Sequence, residues 1–406
     1  MDRALSSFTG RVAGSILMIA GCCIGAGMLG VPILCSVAGF IPSSVMFFLC
    51  WLFMMATGLL LLEVNLWFQE EVSISTMVDY TLGPVGRRLS VLLFAYLFYS
   101  IMIAYVSGSG NLLSEIAEDF GFDLPRWVGS FLFTALFALM IYYGTSAVDR
   151  FNRILVAGLC LSYILLIFLG SSHIETDYLL HRDWWGITLA IPVMIVSFGY
   201  HNMIPSLTTY LDHAKRKLVT VVIVGSLIPL LIYLIWGAII LGIVPPDAFR
   251  SSIDSGDFAT RALKNAARTP AIYVLAEHFA FFAIVSSFIT VALSFFDFLA
   301  DGLHIKKDAW GKFILCLLTL LPPFFCAMIY PNIFLAALRH AGVFGALILF
   351  GIFPVLMVWK GRYLMKLNRP RIIPGGKFVL AAVFAAAAAA IVLSLLVNFG
   401  LWGLKG

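Results

Sequence analysis

Long apolar runs joined by short polar links dominate this sequence. Eleven are read, at residues 12–38, 42–68, 89–114, 126–147, 151–170, 184–208, 218–243, 271–299, 311–330, 334–359 and 377–401. Each is near or above the roughly 20 residues that a helix needs to cross a bilayer. The pattern predicts an all-α membrane protein of eleven transmembrane helices.

Two runs carry breaks. In the first, Gly21 to Pro32 holds four glycines and a proline within twelve residues, a composition that works against continuous helix. Unwound backbone at membrane depth is tolerated only where it is buried in protein or lines a cavity. A cavity there is a ligand site, because a half-helix N-terminus attracts an anionic group and freed carbonyls attract a cation. The sixth run repeats the device: Gly199 and Pro205 interrupt Ser197 to Ser206. Gly25 lies 13 residues into the first run and Phe198 14 into the sixth. The runs after each break keep similar spacing. This predicts a 5+5 inverted repeat, with residues 1–170 as the first unit, 184–359 as the second and 377–401 as an extra helix. Helices 1 and 6 are discontinuous in that scheme, the arrangement that points to a midplane site in a secondary transporter. The first break admits two other readings. A dinucleotide fingerprint at Gly25 to Gly30 needs a preceding strand and an acidic residue about twenty positions on, and neither is present. Close helix packing through Gly21 and Gly25 remains as the bland alternative.

Composition agrees with the pattern. The chain is 62% hydrophobic and 12% charged, with a mean hydropathy of +1.01, which marks an integral membrane protein. Its formal charge of +5 is scattered over loops and signals no nucleic acid partner. The seven cysteines (22, 23, 35, 50, 160, 316 and 326) all sit in apolar stretches, so neither a disulfide framework nor a zinc spacing is present. The basic N-terminus and first run resemble a signal peptide, but the run is too long and reads as a retained span. Placing the N-terminus in the cytoplasm puts 18 basic residues on inner segments and 7 on outer ones, as the positive-inside rule requires. An odd number of spans then leaves the C-terminus outside. The outer loop from Val244 to Pro270 is the one sizeable polar segment, read as a lid or connector with a short surface helix within Asp257 to Arg268.

The motifs add a resemblance. Ile24-Gly-Ala-Gly-Met-Leu29, Leu61-Leu-Glu-Val64, Ala104-Tyr-Val-Ser-Gly-Ser-Gly110, Ser197-Phe-Gly-Tyr-His201, Ile204-Pro-Ser206, Phe296-Asp-Phe-Leu-Ala-Asp301 and Leu321-Pro-Pro323 run through the whole chain. On these the chain resembles the hydroxy/aromatic amino acid permease family, its tyrosine- and tryptophan-transporting branch above all, within the amino acid–polyamine–organocation superfamily. The resemblance implies the inverted-repeat fold, a bacterial inner membrane location with a periplasmic C-terminus, no cofactor, and proton-coupled uptake of tyrosine or tryptophan. A serine or threonine transporter is the in-family alternative.

An amino acid zwitterion needs donors for its carboxylate and acceptors for its ammonium. Ile24, Gly25, Ala26, Gly27 and Met28 can supply N–H groups. Carbonyls of Ser197, Phe198 and Gly199, with those near Gly21 and Cys22, can hold the ammonium. Phe198, Tyr200, Tyr96, Tyr99 and Tyr105 are candidates for the side-chain pocket, Phe198 foremost and Tyr105 next. His201 is the histidine deep in an apolar run beside a break, a candidate proton relay or substrate contact. Glu63 and Asp297 are read as proton carriers or gate ion pairs, and Glu115 as interfacial. The resemblance also implies a possible sodium site, since sodium-coupled relatives of the fold join paired hydroxyl residues to first-span carbonyls. Here those would be Ser286 and Ser287 with Gly21 and Ile24. Met28 stands where a second sodium site uses asparagine, so two sodium ions are not expected. A channel wants rings of charge or carbonyls, and an intramembrane enzyme wants a catalytic constellation; the runs supply neither. The sequence sets no oligomeric state, and its surface implies lipid as the surrounding partner.

Overall fold

A computed structural model describes residues 2–143, 145–249, 259–266 and 269–398, and the described residues form helices with no strand. Their order is α1 (Asp2–Cys23), α2 (Ala26–Ala38), α3 (Phe40–Asn65), α4 (Ile74–Leu82), α5 (Pro84–Asp119), α6 (Arg126–Tyr143), α7 (Thr145–Gly170) and α8 (Thr176–Leu179). Then come α9 (Ile191–Ser197), α10 (Ile204–Tyr210), α11 (Lys215–Ile243), α12 (Ala259–Ala266), α13 (Pro270–Leu303), α14 (Ala309–Ile329), α15 (Phe334–Leu364) and α16 (Gly376–Asn398). Eight helices are long and apolar enough to cross a membrane, or nine if the bent pair α1–α2 counts as one span. Those eight match the second, third, fifth and seventh to eleventh runs. The fourth run is the shorter helix α6, and the sixth is split between α9 and α10, each only seven residues long.

Helix ends follow local chemistry. Helix α5 starts at Pro84, behind Gly83 at φ 89°, because proline has no N–H to leave unbonded in a first turn. It extends five residues past each end of the predicted run, so Glu115, expected at the interface, lies within the helix one turn from its end and is buried. At Gly39 (φ 88°) α2 turns directly into α3, and a Cβ there would run into the carbonyl of His181. In α15, the wide π-type turns of Ala341–Ile352 pass so close to α9 that a Cβ on Gly342 would strike the Pro192 carbonyl.

Buried charge appears where helix ends converge. Arg362, near the end of α15, grips Glu63 of α3 with two hydrogen bonds, Nε to Oε1 at 2.7 Å and Nη2 to Oε2 at 2.6 Å. The Ile372 N–H donates to the same carboxylate at 2.7 Å, and Arg362 also donates to the Ile373 carbonyl. Both side chains are under 5% exposed, so the clamp joins α3, α15 and the link to α16. Asp297 is paired with Lys307 at 2.7 Å, and both are about half exposed. Both acids are thus ion-paired in this structure.

Removing one partner of a buried pair strands the other charge, at a cost of about 3 kcal/mol or more. Glu63→Leu is therefore expected to lower the thermal midpoint markedly in detergent. Glu63→Leu combined with Arg362→Leu should recover much of the loss, and a double variant no better than the single one would contradict the clamp.

Candidate functional site

Two helix breaks meet at the centre. Helix α1 ends at Cys23 and α2 begins at Ala26, with the axes bent by 55°. The break is narrower than the sequence suggests: Gly21 and Cys22 stay in the last turn of α1. Carbonyls of a last turn have no successor amide along the helix. Two of the nearby carbonyls are taken by side chains, Cys23 by the Tyr233 hydroxyl at 2.6 Å and Ile24 by the Ser287 hydroxyl at 3.2 Å. Just past the break, Trp236 Nε1 holds the Met28 carbonyl at 2.6 Å. These anchors from α11 and α13 fix the broken ends in place.

Among the described residues, no side chain caps the start of α2. Met28 is the first amide to turn back, bonding the Gly25 carbonyl at 2.9 Å. The N–H groups of Ala26 and Gly27 thus begin a helix at its positive dipole end, the kind of end that attracts an anion. Glycine is required here by crowding. A Cβ on Gly25 would lie 2.7 Å from Ser287 Oγ and 2.9 Å from the Tyr105 hydroxyl, and one on Gly27 would collide with Ser197 Oγ.

That collision partner sits at the other break. Helix α9 ends at Ser197, and Phe198 to Tyr200 run irregularly before a turn of 3₁₀ helix at His201–Met203. The Ser197 hydroxyl bonds back to the Val193 carbonyl at 2.6 Å. The negative end of α9 therefore adjoins the positive end of α2. The Cys22 thiol, 3.9 Å from both the Gly199 carbonyl and Asn202 Oδ1, links the end of α1 to the same place.

A cavity of about 100 Å³ opens beside these ends. Cys22, Gly25, Gly27, Ser197, Gly199 and Asn202 form its polar wall, and Phe94, Phe98, Tyr105 and Phe350 its aromatic one. It lies on the α1 and α10 side of the breaks. On the opposite side, α12 covers the bundle, with Ala259, Thr260, Ala262 and Leu263 each at most 1% exposed.

The sequence-based candidates divide here. Gly25, Gly27, Tyr105, Ser197 and Gly199 line the cavity, while Ile24, Ala26 and Met28 adjoin it in sequence. Phe198 and Tyr200 do not line it, which corrects the expectation for their rings. Phe198 is fully buried against Phe47 and Tyr233, with centroids 6.5 and 5.6 Å away. Tyr200 reaches the Met54 carbonyl with its hydroxyl at 3.3 Å. A position beside a break does not say which way a ring points; Gly58 on α3 leaves room for the buried Tyr200 ring away from the cavity. Tyr96 and Tyr99 also face elsewhere, toward His340 and the Leu318 carbonyl. The missed face of α5 is Phe94, Leu97, Phe98 and Ile101, which helical spacing counted back from Tyr105 would have found.

His201 is fully buried and touches the site indirectly. Its Nε2 lies 3.0 Å from the Thr57 hydroxyl, and its ring stacks on Phe350 at 4.8 Å and 12°. Of the residues considered for sodium, Ser287 meets Ile24, whereas Ser286 donates to Ala283 within its own helix at 3.3 Å.

The start of a helix thus lies beside an aromatic wall. The tryptophan/tyrosine permease family profile matches residues 9–394. The chain belongs to that family. It is 32% identical over 343 residues to a tryptophan-specific transport protein of Pseudomonas aeruginosa, covering 82% of each chain. It is 32% identical to a low affinity tryptophan permease of Escherichia coli K12, covering 86% of each. It is 31% identical to tyrosine-specific transport system 1 of Haemophilus influenzae, covering 92% of this chain and 94% of that one. Members of this permease family are transporters and not enzymes, and the helices make this chain a multi-pass membrane protein.

Gly27→Leu is expected to abolish substrate binding while the protein still inserts and purifies as a folded species, measured by scintillation proximity with labelled tryptophan. Normal binding would move the carboxylate site elsewhere. Phe98→Ala should weaken tryptophan about tenfold, the equivalent of about 1.4 kcal/mol of lost ring contact; an unchanged affinity would remove α5 from the side-chain pocket.

Proposed function

We propose that the protein imports an aromatic amino acid, tryptophan or tyrosine, across the bacterial inner membrane by ion-coupled symport. The observation that carries this is the pairing of the open α2 amides with the negative end of α9, beside a wall of Phe94, Phe98, Tyr105 and Phe350. The substrate carboxylate sits on the amides of Ala26 and Gly27. Its ammonium sits among the carbonyls of Gly21, Ser197 and Gly199, and its ring lies against the aromatic wall. Several relatives are named for tryptophan and others for tyrosine, so the reading covers both. Asn202 and Tyr105 are among the cavity groups able to hydrogen-bond an indole N–H or a phenol, and a site that does so rejects analogues lacking the group.

In this reading the runs form eleven spans in a 5+5 inverted repeat plus α16, with the N-terminus cytoplasmic and the C-terminus periplasmic. The cavity then faces the cytoplasm, and α12 closes the periplasmic side. A ligand shifts such an equilibrium only by its differential affinity for the two states. The coupling ion is a proton in the reading we favour, on the family resemblance. Sodium is the second reading, favoured by one contact, the Ser287 hydroxyl on the Ile24 carbonyl beside the substrate amides.

Proteoliposomes carrying the purified protein test this. Labelled tryptophan and tyrosine should accumulate under a proton gradient without sodium, and serine should compete weakly. Accumulation that needs sodium would favour the Ile24–Ser287 site. Failure of either gradient to drive an aromatic substrate would overturn the transport reading.

A further inference from the structure

At the covered end of the bundle, two carboxylates share one phenol. Tyr273 Oη lies 2.7 Å from Asp119 Oδ2 and 2.9 Å from Glu277 Oε1. A phenol has a single hydrogen to donate. It satisfies one of these contacts; the other is attractive only if that carboxyl carries a hydrogen of its own. Otherwise oxygen lone pairs face each other at hydrogen-bond distance.

The surroundings say which carboxyl that is. Asp119, about one third exposed, is held by Lys264 of α12, whose ammonium also lies 4.8 Å from the Tyr273 ring centroid. Its charge is matched. Glu277 is 7% exposed and Tyr273 8%, so little water reaches the second contact. Two other charged groups nearby have contacts of their own. Arg261 of α12 lies 3.9 Å from buried Glu115 of α5, and exposed His278 bonds the Val274 carbonyl of its own helix. Among the described residues Glu277 makes no ion pair, while Asp119 has Lys264. Glu277 is also the more buried of the two acids at 7% exposed, and burying an unmatched charge is costly.

We propose that Glu277 binds a proton from the covered side and that this proton latches α12 over the bundle. The proton comes from solvent on that side and attaches to Glu277 Oε1. Its O–H donates to Tyr273 Oη, the Tyr273 hydrogen goes to Asp119 Oδ2, and Asp119 holds Lys264. Without the proton, Glu277 and Asp119 compete for one hydrogen and the hold on α12 loosens. This rests on the transport reading above and deepens it. It places a proton site of the cycle at the lid, away from His201 and the substrate amides.

The test uses the lid as its own reporter. Thr260 is fully buried under α12, so T260C reports opening by its rate of labelling with a membrane-impermeant maleimide in proteoliposomes, after subtracting the parent protein. Thiol reactivity itself varies with pH, so each rate is divided by that of the protein carrying T260C and Glu277→Gln. Glutamine mimics the protonated acid, because its amide also donates to Tyr273. The ratio is expected to be near one in acid and to rise several-fold at alkaline pH. A ratio that stays near one throughout overturns the latch. If Glu277→Gln fails to fold, Tyr273→Phe replaces it as reference. The ratio should then be well below one in acid and approach one at alkaline pH, and a constant ratio overturns the latch equally. Tryptophan counterflow on the same vesicles reports the transport reading separately, so either can fail without the other.

Discussion

Everything in this molecule depends on backbone groups that have no water to turn to. A helix that stops inside a bilayer leaves amides at one end and carbonyls at the other, and each unmet group costs free energy. The structure meets that constraint selectively. Tyr233, Trp236 and Ser287 satisfy the carbonyls of Cys23, Met28 and Ile24, while the first amides of α2 are left for something else. The anchors come from α11 and α13, which are long, apolar and deeply packed. The unmet groups are therefore held rigidly, and a bound carboxylate would need little reorganisation to reach them.

The same economy places the aromatic wall. Helix α5 turns Phe94, Phe98 and Tyr105 toward the breaks and sends Tyr99 to the neighbouring α14. Aromatic packing continues outward from the cavity. Phe98 stacks on Phe295 at 5.1 Å, and Phe350 stacks on His201. Rings at the cavity are thus positioned by rings behind them. The charged clamps sit at the two ends of the bundle: Glu63 with Arg362 on the α1 side, and Asp119 with Lys264 at α12.

Much of this is legible in the sequence because it is written in residue types with strong local meaning. Gly25, Gly27 and Gly199 mark the breaks, since their spacing and the apolar runs around them admit few other readings. The eight continuous spans follow from length and apolarity alone. Side-chain direction is what local pattern leaves open. Phe198 sits beside a break yet packs against Phe47 and Tyr233, because the turn after Ser197 aims it into the core. Tyr200 goes to the Met54 carbonyl because Gly58 makes room on another helix. Contacts between distant segments, such as Glu63 with Arg362 or Asp119 with Tyr273, depend on tertiary packing that no local signal encodes.

The central claim is that the open amides at the start of α2 hold the carboxylate of the transported amino acid. The most direct measurement is a cryo-electron microscopy structure of the protein with tryptophan bound. The account expects the substrate carboxylate within hydrogen-bond distance of the Ala26 and Gly27 amides, with the indole against Phe94 and Phe98. A carboxylate seated on a side chain, or density away from both breaks, would contradict it.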